Sequence, residues 1–141
     1  MMKILLIDDE PFHIRWLAEN LQDDGYEIEF ARDVRTALEA ISGEEYRALI
    51  IDLNIPIFGS DMDKAQTLGQ IYALFPGLMV ASEARNRGYR HKRVILYSAH
   101  KESNVQVVAD MLNVQYIIKG DTRQVMREIS EVLSYDPENN K

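Results

Sequence analysis

Three aspartates stand where apolar runs stop. Ile4-Leu5-Leu6-Ile7 ends at Asp8-Asp9, and Ala48-Leu49-Ile50-Ile51 ends at Asp52. Short apolar runs bounded by polar residues read as buried parallel strands. In an open α/β sheet, ligands bind outside the carboxyl ends of such strands. The pattern therefore predicts three carboxylates converging at one sheet edge. Crowded carboxylates repel each other unless a cation lies among them, and an all-oxygen site suits Mg2+.

The elements that must position these residues alternate along the chain. After the first strand, Pro11 suits a helix start. Ile14, Leu17, Ala18 and Leu21 then follow with the spacing of one buried helix face, and Gly25 is placed to end that helix. Tyr26 to Phe30 alternates like a strand near a sheet edge. Asp33 is placed to cap a second helix with Val34, Ala37, Leu38 and Ile41 inward, closed by Gly43. Ala48 to Ile51 is the third strand, Val94 to Tyr97 the fourth and Val114 to Ile118 the fifth. Glu102 to Leu112 and Thr122 to Leu133 read as the last two helices. Five strands alternating with helices predict a doubly wound five-stranded parallel sheet with helices on both faces.

The stretch from Phe58 to Arg93 is too long for one helix and its loops, and it divides at Pro76-Gly77. Before that point, Leu68, Ile71, Tyr72 and Phe75 keep the spacing of a helical stripe; after it, Leu78 to Arg87 reads as a helix stopped by Gly88. The expectation is one domain over residues 1–134, with an extra helical insert at about 58–76 and a polar tail at 135–141. The insert's stripe needs burial, which predicts packing beside the acidic site, over the start of the helix that follows Pro76-Gly77.

Composition narrows the function. With 141 residues, 46% hydrophobic and 28% charged, the chain is long enough for one packed core. A net charge of −7 argues against direct binding to nucleic acid or to an anionic membrane. There is no cysteine, hence no disulfide framework, and no apolar run long enough to span a bilayer. The expected location is cytoplasmic.

With the elements placed, the chain resembles the receiver domain of two-component response regulators, a flavodoxin-like fold, over about Lys3 to Leu133. The matching pieces are I-D-D-E at residues 7 to 10, D-L-N-I-P at 52 to 56, L-Y-S-A at 96 to 99 and Y-I-I-K at 116 to 119. The resemblance implies that Asp52 accepts a phosphoryl group and that Asp8, Asp9, Asp52 and the backbone carbonyl of Asn54 hold Mg2+. Asp9 then ligates the ion directly and Asp8 acts through water. Ser98 and Lys119 face the phosphoryl oxygens, and Ser98 and Tyr116 act as the switch. Elementary chemistry agrees: a carboxylate attacks phosphorus only where both charges are offset, and an ammonium and a hydroxyl stabilise the remaining oxygens. The small Ala99 leaves room for attack. The implied partners are a histidine kinase or phosphotransfer protein as donor, and a separate output protein or a homodimer, since no output domain follows. The resemblance implies a signalling domain rather than an enzyme. The chain departs from the family at Gly120, where a proline is usual, and at Ile57-Phe58-Gly59.

Plainer readings stand beside these. Asp8 and Asp9 alone suit a helix cap equally well. A lone Lys119 reads as a solvated lysine, Ser98 as a strand-end hydroxyl and Tyr116 as core packing. His100, two residues past Ser98, is either a modulator of phosphoryl lifetime or a solvated loop residue. His13 and His91 read as surface residues. The basic run Arg85, Arg87, Arg90, Lys92 and Arg93 reads as a solvated helix end before a nucleic-acid patch. Two rival functions are a degenerate receiver that binds partners without phosphorylation and a phosphohydrolase of the haloacid-dehalogenase type. The second needs a D-x-D nucleophile motif, which Asp8-Asp9-Glu10 lacks.

Overall fold

The structure, a computed structural model, describes residues 2–90 and 93–134. His91, Lys92 and the tail at 135–141 lie outside them. The strands are β1 (Lys3–Ile7), β2 (Glu27–Ala31), β3 (Ala48–Asp52), β4 (Val94–Ser98) and β5 (Gln115–Ile118). The helices are α1 (Arg15–Asp23, entered through a short turn at Pro11–Ile14), α2 (Val34–Gly43), α3 (Gly59–Leu68), α4 (Gln70–Leu74), α5 (Gly77–Asn86), α6 (Ser103–Leu112) and α7 (Thr122–Leu133).

All strand pairs are parallel, in the order β2-β1-β3-β4-β5. This is the doubly wound sheet the alternation predicts. Every residue of β3 and β4 is buried, as for strands covered on both faces, whereas edge strand β2 buries only Ala31. One face carries α2, α5 and α6 through Val34, Ala37, Ile41, Leu78, Val80 and Val105. The other carries α1 and α7 through Leu17, Leu21, Val125, Ile129 and Val132. Side chains alternate between these faces, so Leu6, Ile50 and Ile95 form one row on the α1–α7 face. The next row toward the carboxyl edge is Asp8, Asp52, Tyr97 and Ile117, and Lys119 follows two residues past Ile117.

Asp33 caps α2: its carboxylate accepts the Thr36 amide at 2.8 Å, and the Thr36 hydroxyl reciprocates toward the Asp33 amide. Between β3 and α5 the expected single stripe is interrupted. Gly69 takes φ 150°, ending α3 and starting α4. Glycine adopts this backbone without a Cβ penalty and is a poor helix former. Ile71, Tyr72 and Phe75 pack half-buried against the core, but Leu68, on the far side of the break, is 54% exposed. Helix α3 is held to α2 by a two-pronged pair in which the Arg35 guanidinium donates to both oxygens of the buried Asp61 carboxylate. Lys64, Thr67 and Leu68 of α3 share a mainly apolar groove of about 400 Å3 with Met79, Ser82 and Glu83 of α5. The Arg35–Asp61 pair thus seats α3 on α2, and Ile71, Tyr72 and Phe75 seat the rest of the segment on the core.

The start of α5 lies directly on the end of β3. The Gly77 amide donates to the Leu53 carbonyl at 3.0 Å. A Cβ at Gly77 would come within 2.8 Å of Leu53 Cα and closer still to the Asp52 carbonyl oxygen. Glycine is required here by close approach.

Candidate functional site

The ends of β1 and β3 deliver the carboxylates as the sequence predicts. One carboxylate oxygen from each of Asp8, Asp9 and Asp52 lies within 4.8 Å of the others. Asp8 and Asp52 are buried and Asp9 is exposed. Asp8 Oδ1 accepts the Glu10 amide at 2.8 Å, while its Oδ2 is buried without a hydrogen-bond partner. Burial pushes the Asp8 pKa up, with the charges of Asp52 and Asp9 acting in the same direction; the Glu10 amide and the Lys119 charge oppose the rise. Asp52 Oδ1 accepts the Asn54 amide at 3.0 Å, and its Oδ2 faces the Lys119 ammonium at 3.4 Å. A buried unpartnered carboxylate oxygen among two further carboxylates fits a hard cation with oxygen ligands.

The hydroxyl residues form a second group. Ser98 is buried; its carbonyl accepts the Lys119 amide at 2.7 Å, and its Oγ accepts the His100 amide at 3.4 Å. Tyr116 packs against the α5–α6 side of the core. Its hydroxyl donates to the His100 carbonyl at 2.9 Å and accepts the Glu102 amide at 3.2 Å. Tyr116 therefore grips the loop that leaves Ser98. The structure brings Asp8, Asp9, Asp52 and Lys119 together, and Ser98 and Tyr116 meet at that neighbouring loop. Asn54 is exposed and reaches Asp52 through its amide. The Lys119–Gly120 bond is trans, since no described peptide bond is cis.

Two residues escaped the sequence reading. Tyr97 pairs directly across from Asp52, and its ring centre lies 4.9 Å from Lys119 Nζ. Its phenol is pushed up to about 12, chiefly by burial and then by the charges of Asp8 and Asp52. It read as one of four apolar strand residues; the signal was its shared alternation with Asp52 and Lys119. Gly77 read only as a helix boundary, because its contact with Asp52 is long-range.

Other polar candidates have structural partners. His13 pairs with Glu10 at the surface. Arg85 donates to the Tyr89 carbonyl, Arg87 pairs with Glu83, and Arg93 binds the Tyr46 and Arg47 carbonyls while stacking on Tyr89. No helix among the described residues is long and apolar enough to cross a membrane.

The family model for the response regulator receiver domain matches residues 4–130. The chain belongs to this family. The receiver is similar to TrrA of Thermotoga maritima, whose crystal structure is a complex with Mg(2+)-BeF: 27% identity, 94% of this chain, 99% of that one and a TM-score of 0.69. It shares its fold with the non-phosphorylated HemR receiver domain of Leptospira biflexa, at TM-score 0.75 and 17% identity over 96% and 97% of the two chains. Transcriptional regulatory protein TcrA of Mycobacterium tuberculosis is 33% identical over 55 residues. That stretch is 39% of this chain and only 22% of TcrA. The protein is thus a receiver domain of a two-component response regulator, a signalling domain.

Proposed function

We propose that this receiver accepts a phosphoryl group on Asp52 in an Mg2+-dependent reaction and thereby changes its affinity for a partner. The observation that carries this reading is the Asp52 carboxylate held between two further carboxylates and the Lys119 ammonium. Asp8, Asp9, Asp52 and the Asn54 carbonyl would hold Mg2+, which when bound offsets negative charge on both the acceptor and the phosphoryl group. Asp52 Oδ attacks phosphorus on a phosphohistidine, the P–N bond breaks, and an acyl phosphate forms. Lys119 balances charge on the transferred oxygens, and the Ser98 hydroxyl donates to another. Tyr116 then couples Ser98 to the surface through its grip on His100 and Glu102. The donor is a histidine kinase or phosphotransfer protein, and the output is a partner whose affinity for the receiver changes on phosphorylation.

Mass spectrometry after treatment with a small phosphodonor and Mg2+ tests this. The wild type gains one phosphoryl group; Asp52→Asn, or wild type with a chelator, gains none. Equal modification of Asp52→Asn would overturn the assignment. Partner binding by a wild type that takes no phosphoryl group would favour a phosphorylation-independent interaction module.

A further inference from the structure

We infer that Tyr97 is a positioning residue: its ring is the platform over which Lys119 crosses β4 to reach Asp52. This rests on the acceptor role proposed for Asp52.

The register imposes the problem. Asp52 ends β3 and Lys119 follows β5, with β4 between them. Two strand spacings are roughly 9.5 Å. The flexible four-carbon stem of a lysine must span that gap and hold one direction. Tyr97 stands opposite Asp52 on the intervening strand, and Ile117, two residues before Lys119, stands opposite Tyr97. All three side chains fall on the α1–α7 face by alternation. The ring is fixed, because Tyr97 is 5% exposed and belongs to the core cluster of Ile50, Ile95 and Ile117. Lys119 Nζ sits 4.9 Å from the ring centre and 3.4 Å from Asp52 Oδ2. An ammonium within about 6 Å of an aromatic centre is attracted to the negative ring face. The ring thus holds the ammonium without supplying a competing anion, and the phenol is neutral at neutral pH. An aliphatic residue here would fill the volume but offer the charge nothing. The backbone fixes the other end of the lysine through its amide on the Ser98 carbonyl, at 2.7 Å.

The test compares Tyr97→Phe, which keeps the ring, with Tyr97→Met, which keeps an unbranched apolar filling. In the whole chain with labelled lysine, NMR should show Lys119 side-chain methylene protons moved upfield by the ring in wild type and Tyr97→Phe. The shift should vanish in Tyr97→Met, with Lys119→Met identifying the signal. With a small phosphodonor and Mg2+, Tyr97→Met should be phosphorylated roughly five- to thirty-fold more slowly, and Tyr97→Phe should restore the rate. Unshifted Lys119 protons in the wild type, or Tyr97→Met reacting at the wild-type rate, would overturn the platform. So would Tyr97→Phe being as slow as Tyr97→Met, since the hydroxyl would then carry the effect. A wild type with shifted Lys119 protons that takes no phosphoryl group overturns the acceptor reading instead and leaves the platform standing.

Discussion

The Asp8 carboxylate is nearly fully buried, accepts one hydrogen bond from the Glu10 amide and leaves its second oxygen without a partner. Its folded pKa lies above the ordinary 3.8, so the native state binds that proton more tightly than the unfolded chain does. The resulting destabilisation is complete above the folded pKa and fades as pH falls through it toward 3.8. Metal-free Asp8→Asn should therefore be more stable than wild type at neutral pH. The gain should be about 1 kcal/mol for repulsion at an effective dielectric of about 20, discounted for screening at the exposed Asp9. Urea melts with a chelator should show that advantage shrinking on acidification and reversing when Mg2+ is added at neutral pH. A less stable Asp8→Asn at neutral pH without metal would contradict a destabilising carboxylate. The sequence showed that Asp8, Asp9 and Asp52 meet, because each ends an apolar run. It did not show which of the adjacent pair is buried, since that depends on the 2.8 Å turn formed with Glu10 after the strand stops. Tyr97 was illegible for a related reason: its role exists only once β3, β4 and β5 are in register.

At the scale of elements, the contact between α5 and β3 leaves no tolerance. Gly77→Ala places a methyl group against the Asp52 carbonyl and Leu53 Cα, both backbone atoms that cannot turn aside. Overpacking of this kind costs typically about 1–3 kcal/mol. Thermal melts should show that loss, and Mg2+ affinity should fall with it, because the displaced backbone carries Asp52 and leads to Asn54. A variant as stable as wild type with unchanged Mg2+ affinity would mean that α5 moves freely relative to β3. The periodicity of the segment ahead of it predicts one amphipathic stripe, and Gly69 divides it. Periodicity counted Leu68 with Ile71, Tyr72 and Phe75, but a break between the first and the rest rotates Leu68 to the surface. Leu68→Ser should therefore be nearly neutral, whereas Ile71→Ser/Phe75→Ser should expose the segment. Arg35→Ala should also loosen it, since the buried Asp61 carboxylate then loses both its bonds to α2. Hydrogen exchange over residues 59–74 reads this directly: protection lost in Ile71→Ser/Phe75→Ser and Arg35→Ala and retained in Leu68→Ser. Equal protection in all three would show that the docking to α2 and the core does not hold the segment.

The fold class was legible at the scale of the whole chain because each strand is a short run, apolar or, in β2, alternating, between helical patterns, a signal repeated five times. That repetition has a thermodynamic consequence. Asp8 and Asp9 follow β1, Asp52 ends β3 and Lys119 follows β5. No local segment can gather them; only the assembled sheet, with β1 beside β3 and β4 between β3 and β5, does so. A cation that needs all three carboxylates therefore binds the native state and has almost nothing to bind in the unfolded chain. If the trio binds Mg2+ as proposed, linkage predicts global stabilisation by about 2.7 kcal/mol when the free concentration is 100 times the dissociation constant. Calorimetric or urea unfolding across an Mg2+ titration should show the midpoint rising for the whole cooperative transition, not for a separate early phase. Asp9→Ala removes the exposed member of the trio, whose loss leaves the core untouched, and should flatten that response. If Mg2+ leaves the wild-type midpoint unchanged, the carboxylate cluster does not bind the ion appreciably at those concentrations. If Asp9→Ala responds as the wild type does, the stabilising ion binds elsewhere on the acidic surface.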